Sequence, residues 1–365
     1  MSLKCGIIGL PNVGKSTLFN ALTASSIAAA ANYPFCTIEP NSGTVTVPDE
    51  RLEILQKLAN SAKIIPTYID FVDIAGLVKG ASKGEGLGNK FLAHIRQVDA
   101  VIHVLRCFED EDITHVHSKV DAIYDAEVIE TELILADLES VEKRITNLEK
   151  RAKTGDKALV EQIELLKQAQ NLLAEGRPVR DLIGVSNKKE IASLQLLTSK
   201  PILYVCNVLE NEAAVGNSHS QKVKAKADKE RANSVVISSK IEAEISSLES
   251  EEEKKEFLES LGLETTGLHK IIKAAYNLLD LKSFFTVGPK EAHGWTFAEG
   301  TLAPQAAGII HTDFEKGFIR AEVISYNDYV TLGSEAKARE TGKMRSEGKE
   351  YKMQDGDIVN FRFNV

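Results

Sequence analysis

Short apolar runs alternate with amphipathic stretches over most of the chain up to about residue 280. The runs at 4–9, 43–47, 68–73, 100–106, 202–206 and 234–238 read as strands. Strands separated by helical patterns predict a mostly parallel sheet covered on both faces, an α/β fold. Between about 126 and 199 the alternation stops. There Ile134, Leu138, Val141, Ile145, Leu148 and Ala152 step by four and three, the spacing of a coiled-coil seam. After a turn-like Thr154-Gly155-Asp156, Leu159, Ile163, Leu166 and Leu173 resume that spacing, with Gln170 as a polar break. Two helices joined by so short a turn pack antiparallel, which predicts a helical hairpin inserted into the α/β domain. An amphipathic helix at 268–281 leads into a third region. β patterns at 284–287, 294–297 and 318–324 end in a strand where Val359, Phe361, Phe363 and Val365 alternate with polar residues. Only one short helical segment, around 304–308, interrupts them. The expected organisation is therefore 1–125 with 200–282 as the α/β domain, 126–199 as the insert, and 283–365 as a small α+β domain.

Composition sharpens this picture in a few places. A length of 365 residues suits about two domains, and 43% hydrophobic with 27% charged residues is ordinary for a soluble globular chain. A formal net charge of −9 argues against a wide sequence-independent grip on nucleic acid. Local basic patches remain, at the hairpin tip (Lys150, Arg151, Lys153, Lys157) and along 337–352 (Lys337, Arg339, Lys343, Arg345, Lys349, Lys352). Each reads either as a solvated surface or as a contact for RNA. The four cysteines form no Cys-x-x-Cys and no zinc spacing; Cys5, Cys107 and Cys206 lie in apolar runs and are expected as buried, reduced thiols, with Cys36 apart. No apolar stretch approaches the ~20 residues of a membrane helix, and a core strand starts at once. A cytoplasmic protein without membrane or DNA partners is the expectation.

The chemistry begins at Gly9-Leu10-Pro11-Asn12-Val13-Gly14-Lys15-Ser16-Thr17, which fills the phosphate-loop template between a strand and a helix. Glycines let successive backbone N–H groups turn toward phosphate oxygens, and Lys15 supplies a point charge to the β- and γ-phosphates. Ser16 offers a hydroxyl to Mg²⁺. Asp73-Ile74-Ala75-Gly76 ends a strand, with Asp73 placed to hold Mg²⁺ through water and the Gly76 N–H to sense a γ-phosphate. Thr37, within 32–41, is the candidate switch threonine for the metal. Leu77 stands where many switch GTPases place a water-orienting Gln. His94, just beyond a glycine-rich loop, can assist hydrolysis instead; a structural imidazole is the alternative.

The base-reading segment is Asn207-Val208-Leu209-Glu210 in place of Asn-Lys-x-Asp. Without the well-placed Asp acceptor, guanine loses a bidentate contact worth ~1–3 kcal/mol. Adenine can be read by the Asn207 amide and nearby backbone, so ATP is expected over GTP. No arginine finger is evident in cis. The Asn12 side-chain oxygen can therefore join phosphate oxygens in holding a K⁺ ion, or bond only within the loop.

These segments, together with Gln305-Ala306-Ala307-Gly308-Ile309-Ile310-His311-Thr312-Asp313-Phe314, resemble the YchF/Obg-like ATPase family, a branch of the translation-factor GTPases that prefers ATP. The match spans essentially the whole chain. It implies a Ras-like P-loop NTPase domain, an inserted antiparallel coiled-coil hairpin and a C-terminal β-grasp domain of the TGS type. It also implies slow, Mg²⁺-dependent ATP hydrolysis with Ser16 and Thr37 on the metal and His94 aiding the reaction. The implied nucleotide contacts are Asn12, Val13, Gly14, Lys15, Ser16, Thr17, Gly76, Asn207, Val208 and Glu210. A monomer that binds the ribosome and acts in translation and stress is the implied setting. Two other readings stay open. One is a nucleotide-dependent binding module without turnover. The other is a metabolic kinase, which needs phosphate-clamping arginines in a lid; Arg96 and Arg106 are the only nearby candidates.

Overall fold

The computed structural model describes residues 3–30, 41–75, 87–110, 119–151, 157–182, 188–248 and 250–364. They divide into two compact units, Met1–Thr44 with Asp70–Ile271, and Val45–Ile69 with Ile272–Val365.

The first unit is built on a six-stranded sheet. Strands β1 (Lys4–Ile8), β2 (Ser42–Thr46), β4 (Tyr68–Asp73), β5 (Ala100–Arg106), β6 (Ile202–Asn207) and β7 (Asn233–Ile237) take the order β2-β4-β1-β5-β6-β7. The pairs β1/β4, β1/β5, β5/β6 and β6/β7 are parallel. Every residue of β5 and β6 is buried, which is why both read as continuous apolar runs and not as alternations. The parallel arrangement brings the C-terminal ends of β1, β4, β6 and β7 to one edge, where open α/β sheets place their ligands.

The insert follows the predicted seam. Helix α4 (Ala122–Arg151) starts on Asp121, whose carboxylate accepts from the N–H groups of Ile123 and Tyr124 at 3.1 Å. It packs against α5 (Lys157–Ala174) with Ile134, Val141, Ile145, Leu166 and Leu173 in one core. Ala169 fills the seam beside the expected break at Gln170. The turn Thr154-Gly155-Asp156 and Lys153 lie outside the described residues. At the root of the hairpin, Arg180 bridges Glu130 of α4 and Glu230, and Lys226 reaches Glu130 at 3.1 Å. The Tyr204 hydroxyl of β6 donates to Glu230 at 2.7 Å.

Beside Tyr204 sits His103, fully buried, with its ring centroid 5.8 Å from the phenol and no hydrogen-bond partner at Nε2. Burial first, then the charges of Lys226 and Arg180 against that of Glu230, push its pKa down to about 3. An unfolded imidazole titrates near 6.5. The unfolded chain thus binds the extra proton between these values, so this group costs nothing above about pH 6.5 and erodes stability as pH falls toward 3. Between pH 7 and 5 the wild type should lose roughly 1–2 kcal/mol more than His103→Phe, read from urea midpoints. Identical pH slopes for the two proteins would rule out a buried neutral imidazole.

The second unit holds strands β3 (Ile64–Ile65), β8 (Leu281–Val287), β9 (Ala292–Ala298), β10 (Phe318–Ser325), β11 (Arg345–Glu347) and β12 (Asp357–Phe363), ordered β11-β10-β12-β8-β9-β3. β8/β9 and β10/β12 are antiparallel, and β12 runs parallel to β8. Neighbouring residues face opposite sides of the sheet. Phe284 joins Phe297, Phe318, Phe361 and the small residues of helix Ala303–Ile310 on one face; Phe285 joins Ile324, Tyr329 and Ile358 on the other.

Two sequence expectations differ here. Helix α2 (Glu50–Ala59) and β3, expected in the α/β domain, belong to this unit. Leu52 and Leu55 of α2 pack against Phe285 and Ala292, and Arg51 bonds Asp355 at 2.9 Å. Among its described residues, the 283–365 stretch also has four helices where one was expected, adding Thr312–Lys316, Tyr326–Leu332 and Glu335–Glu340. Each is too short to show a period. They start instead on local caps, such as Ser325 accepting from Asp328 N and Ser334 from Lys337 N. Within the basic stretch, Arg339, Lys343 and Arg345 pair with Glu335, Asp328 and Glu347.

Candidate functional site

The phosphate loop leaves β1 and enters α1 (Lys15–Ala30) through two residues in the left-handed region, Asn12 at φ 62° and Gly14 at φ 91°. That alternation turns backbone N–H groups into a concave anion cradle above the helix N-terminus. Gly14 is required twice over. Its φ disfavours a side chain, and an added Cβ would lie 2.3 Å from Asn207 Nδ2.

Asn207 is the latch of this site. Its Nδ2 donates to Val13 O at 2.9 Å, and its Oδ1 accepts from Ser239 N at 2.8 Å. The residue is 5% exposed, so both bonds are shielded from water. The amide expected to read a base therefore also ties the phosphate loop to the segment after β7. One Nδ2 hydrogen is left for a ligand.

Lys15 and Asp73 form an ion pair at the mouth of the loop, where the end of β4 meets the start of α1. The Asp73 N–H is in turn held by Asn41 O at 2.7 Å. Ser16 and Thr17 are exposed on the first turn of α1. A hydroxyl and a carboxylate converging on a phosphate cradle are the hard oxygen donors that Mg²⁺ takes, with phosphate and water completing its shell. Among the described residues no cluster of three or more His, Cys, Asp or Glu side chains could hold a metal by itself. Thr37, Gly76 and Leu77 lie outside the described residues. His94 is exposed on α3 (Leu87–Arg96), whose Phe91, Leu92 and Ile95 are buried.

Next to the loop opens a cavity of about 560 Å³, walled by Asn12, Gly14 and Thr17, by Phe108 and Asp110, and by the segments after β6 and β7. Phe108 and the Ser238-Ser239-Lys240 segment were not singled out in the sequence. A signal existed for the second, since a polar triplet directly follows β7 just as Asn207 closes β6. Phe108 had none. Arg106, 1% exposed, holds the Phe108 wall: its guanidinium donates to Phe108 O and Asp110 O at 3.1 Å and lies 4.7 Å from the Phe108 ring. So engaged, Arg106 cannot serve as the lid arginine of a kinase. Val208 is buried under the cavity, and Glu210 at its rim pairs with Lys240. That bond holds the Glu210 carboxyl below its usual range. Ser239 Oγ is buried without a hydrogen-bond partner. Cys5, Cys107 and Cys206 are buried free thiols; Cys36 lies outside the described residues.

A parallel sheet with this loop, an Asp at the end of β4 and an Asn-based latch at the end of β6 defines a P-loop nucleoside triphosphatase of the Ras-like class. The model of 50S ribosome-binding GTPases matches residues 4–136, and a YchF-GTPase C-terminal model, described as a protein of unknown function, matches 281–364. The chain is 55% identical over 368 residues to the ribosome-binding ATPase YchF of Bacillus subtilis and 50% identical over 366 to that of Escherichia coli O157:H7, with 100% of each chain covered. The structure of the Schizosaccharomyces pombe YchF GTPase superposes with a TM-score of 0.89 at 39% identity, covering 99% of this chain and 98% of that one. The chain belongs to the YchF family. No helix among the described residues is long and apolar enough to cross a membrane.

Proposed function

We propose that this chain is an ATP-hydrolysing molecular switch that acts on the ribosome, prefers ATP to GTP, and turns over slowly in the service of translation and stress responses. The observation that carries the base preference is the cavity rim. Val208 supplies no lysine stem, and the Glu210 carboxylate is bound to Lys240 instead of being free for guanine. The bacterial relatives named ribosome-binding ATPases, half identical over full length, support the partner and the nucleotide.

In this reading the backbone of 12–17 cradles the phosphates and Lys15 exchanges Asp73 for the β- and γ-oxygens. Asp73 is thereby freed, and Ser16, Thr37 and, through water, Asp73 would hold Mg²⁺. Bound Mg²⁺ would neutralise charge developing between the β- and γ-phosphates. The Gly76 N–H senses the γ-phosphate. His94, exposed and without the packing of a structural imidazole, orients the attacking water in place of Leu77. The Asn12 side-chain oxygen would help hold K⁺ beside the phosphates. The 126–199 insert and the 283–365 β-grasp region of TGS type supply the ribosome contacts.

One set of assays tests the reading: nucleotide titration, then single-turnover hydrolysis with and without purified ribosomes, in KCl and in NaCl at matched ionic strength. ATP should bind at least about tenfold tighter than GTP, the equivalent of ~1.4 kcal/mol. K⁺ should speed the wild type severalfold. His94→Ala should slow turnover while ATP affinity stays within a few-fold. Equal affinities for the two nucleotides would remove the base argument, and unchanged turnover would make His94 structural.

A further inference from the structure

Two segments approach the base cavity from neighbouring parallel strands. After β6 a short 3₁₀ turn, Glu210–Glu212, carries Glu210 to the rim; after β7 the helix Ser239–Ser247 carries Lys240 in its first turn. The register Asn207↔Ile237, and the bond from Val208 N to Ile237 O at 2.9 Å, hold the two segments side by side. Lys240 Nζ meets Glu210 Oε1 there, and both residues line the cavity. A lysine in a first helical turn opposes the helix dipole, so its place is set by the carboxylate across from it and not by its own helix. The pair is half open to water, with Lys240 69% and Glu210 35% exposed, and it adds little to stability. Its consequence falls on whatever enters the cavity.

We propose that Lys240 is a base-selecting residue: by holding Glu210 in an ion pair at the cavity rim, it withholds from guanine the carboxylate that would otherwise read its ring edge. The inference rests on the ATP preference proposed above. The chemistry is one of donors and acceptors. Guanine presents N–H donors at N1 and N2, which a free carboxylate accepts together; adenine presents a bare acceptor at N1. An ammonium beside the edge opposes the first pattern and suits the second. Glu210 is a methylene longer than the Asp of guanine readers, yet its reach still leaves it at the rim. On this account the substitution of Asp by Glu is only half of the selectivity, and the cation from the next strand is the other half. The Glu210 carboxyl held low by Lys240, and the Lys240 ammonium held high by Glu210, agree with a pair that stays charged at neutral pH.

The experiment is a direct titration of ATP and GTP against the full chain as wild type, Lys240→Met, and Lys240→Met with Glu210→Ala. Thermal melting of each confirms folding, and the exposure of the pair makes a large change in melting unexpected. In Lys240→Met the ATP-to-GTP affinity ratio should fall about three- to fivefold because GTP binding improves. In the double variant that improvement should vanish, since the freed carboxylate is gone. A wild type that prefers ATP while Lys240→Met keeps the same ratio overturns the inference and leaves the proposed preference standing. A gain for GTP that persists in the double variant also overturns it, because Glu210 would then not be the reader. A wild type that binds both nucleotides alike removes the preference, and the inference with it.

Discussion

Gly14→Ala should cost two to four orders of magnitude in nucleotide affinity, the largest functional loss expected from a single methyl group in this molecule. The new Cβ would enter a backbone at φ 91° and lie 2.3 Å from Asn207 Nδ2 and 3.1 Å from Ser239 Oγ. The conformation alone costs about 1–2 kcal/mol for an L-residue. The greater effect is on the latch. Asn207 cannot retreat without giving up Val13 O or Ser239 N, and each lost buried bond costs about 1–3 kcal/mol. Together these reach roughly 2–5 kcal/mol, about two to four orders of magnitude where the cost falls on the loop's binding conformation. Calorimetric titration with ATP, alongside a melting curve, separates lost binding from lost folding. Affinity within tenfold of wild type would mean that the loop relaxes freely and Asn207 is not a latch.

Arg180→Met should lower the unfolding free energy by up to about 3 kcal/mol, the low end of the cost of removing one member of a buried charge cluster, because the side chains of this one are 10–17% exposed. Arg180 faces Glu130 and Glu230; without it, two partly buried carboxylates keep Lys226 as their shared cation. The cluster joins α4, the turn Val179–Leu182, the end of helix Ser218–Lys229 and Tyr204 of β6, so its loss loosens the root of the hairpin from the sheet. Adding Glu130→Gln should recover part of the stability by removing an uncompensated charge. Urea unfolding of the single and double variants is the measurement. A loss below about 1 kcal/mol for Arg180→Met would show that water reaches the cluster and screens it.

The phosphate loop was legible because it is a contiguous template, and so were the central strands, whose every residue faces a covered sheet. The hairpin seam was legible for a related reason: a 3.5-residue period over several turns records a partner helix even when the partner is unknown. Legibility failed where the signal was short or shared between distant segments. The helices Tyr326–Leu332 and Glu335–Glu340 span less than two turns each, too few for periodicity, and depend on serine caps. Helix α2 has an apolar stripe that would suit either unit; Phe285 and Ala292, more than two hundred residues away, settle which one it joins.

By itself, the sequence determined the class of the first domain, a P-loop nucleoside triphosphatase. Lys15, Ser16 and Asp73 could be singled out as candidates because a triphosphate and its metal call for those groups at a loop and a strand end, and Val208 and Glu210 stand where guanine readers carry Lys and Asp. Only the tertiary structure decided how those residues are committed. It placed Asn207 between Val13 and Ser239, set Phe108 against the cavity under the buried Arg106, and brought Lys240 to Glu210. The physical reason is separation along the chain. Backbone periodicity and motif spacing encode contacts within a turn or a strand, whereas a latch, a cavity wall and an ion pair arise only where parallel strands bring their loops to one edge of the sheet.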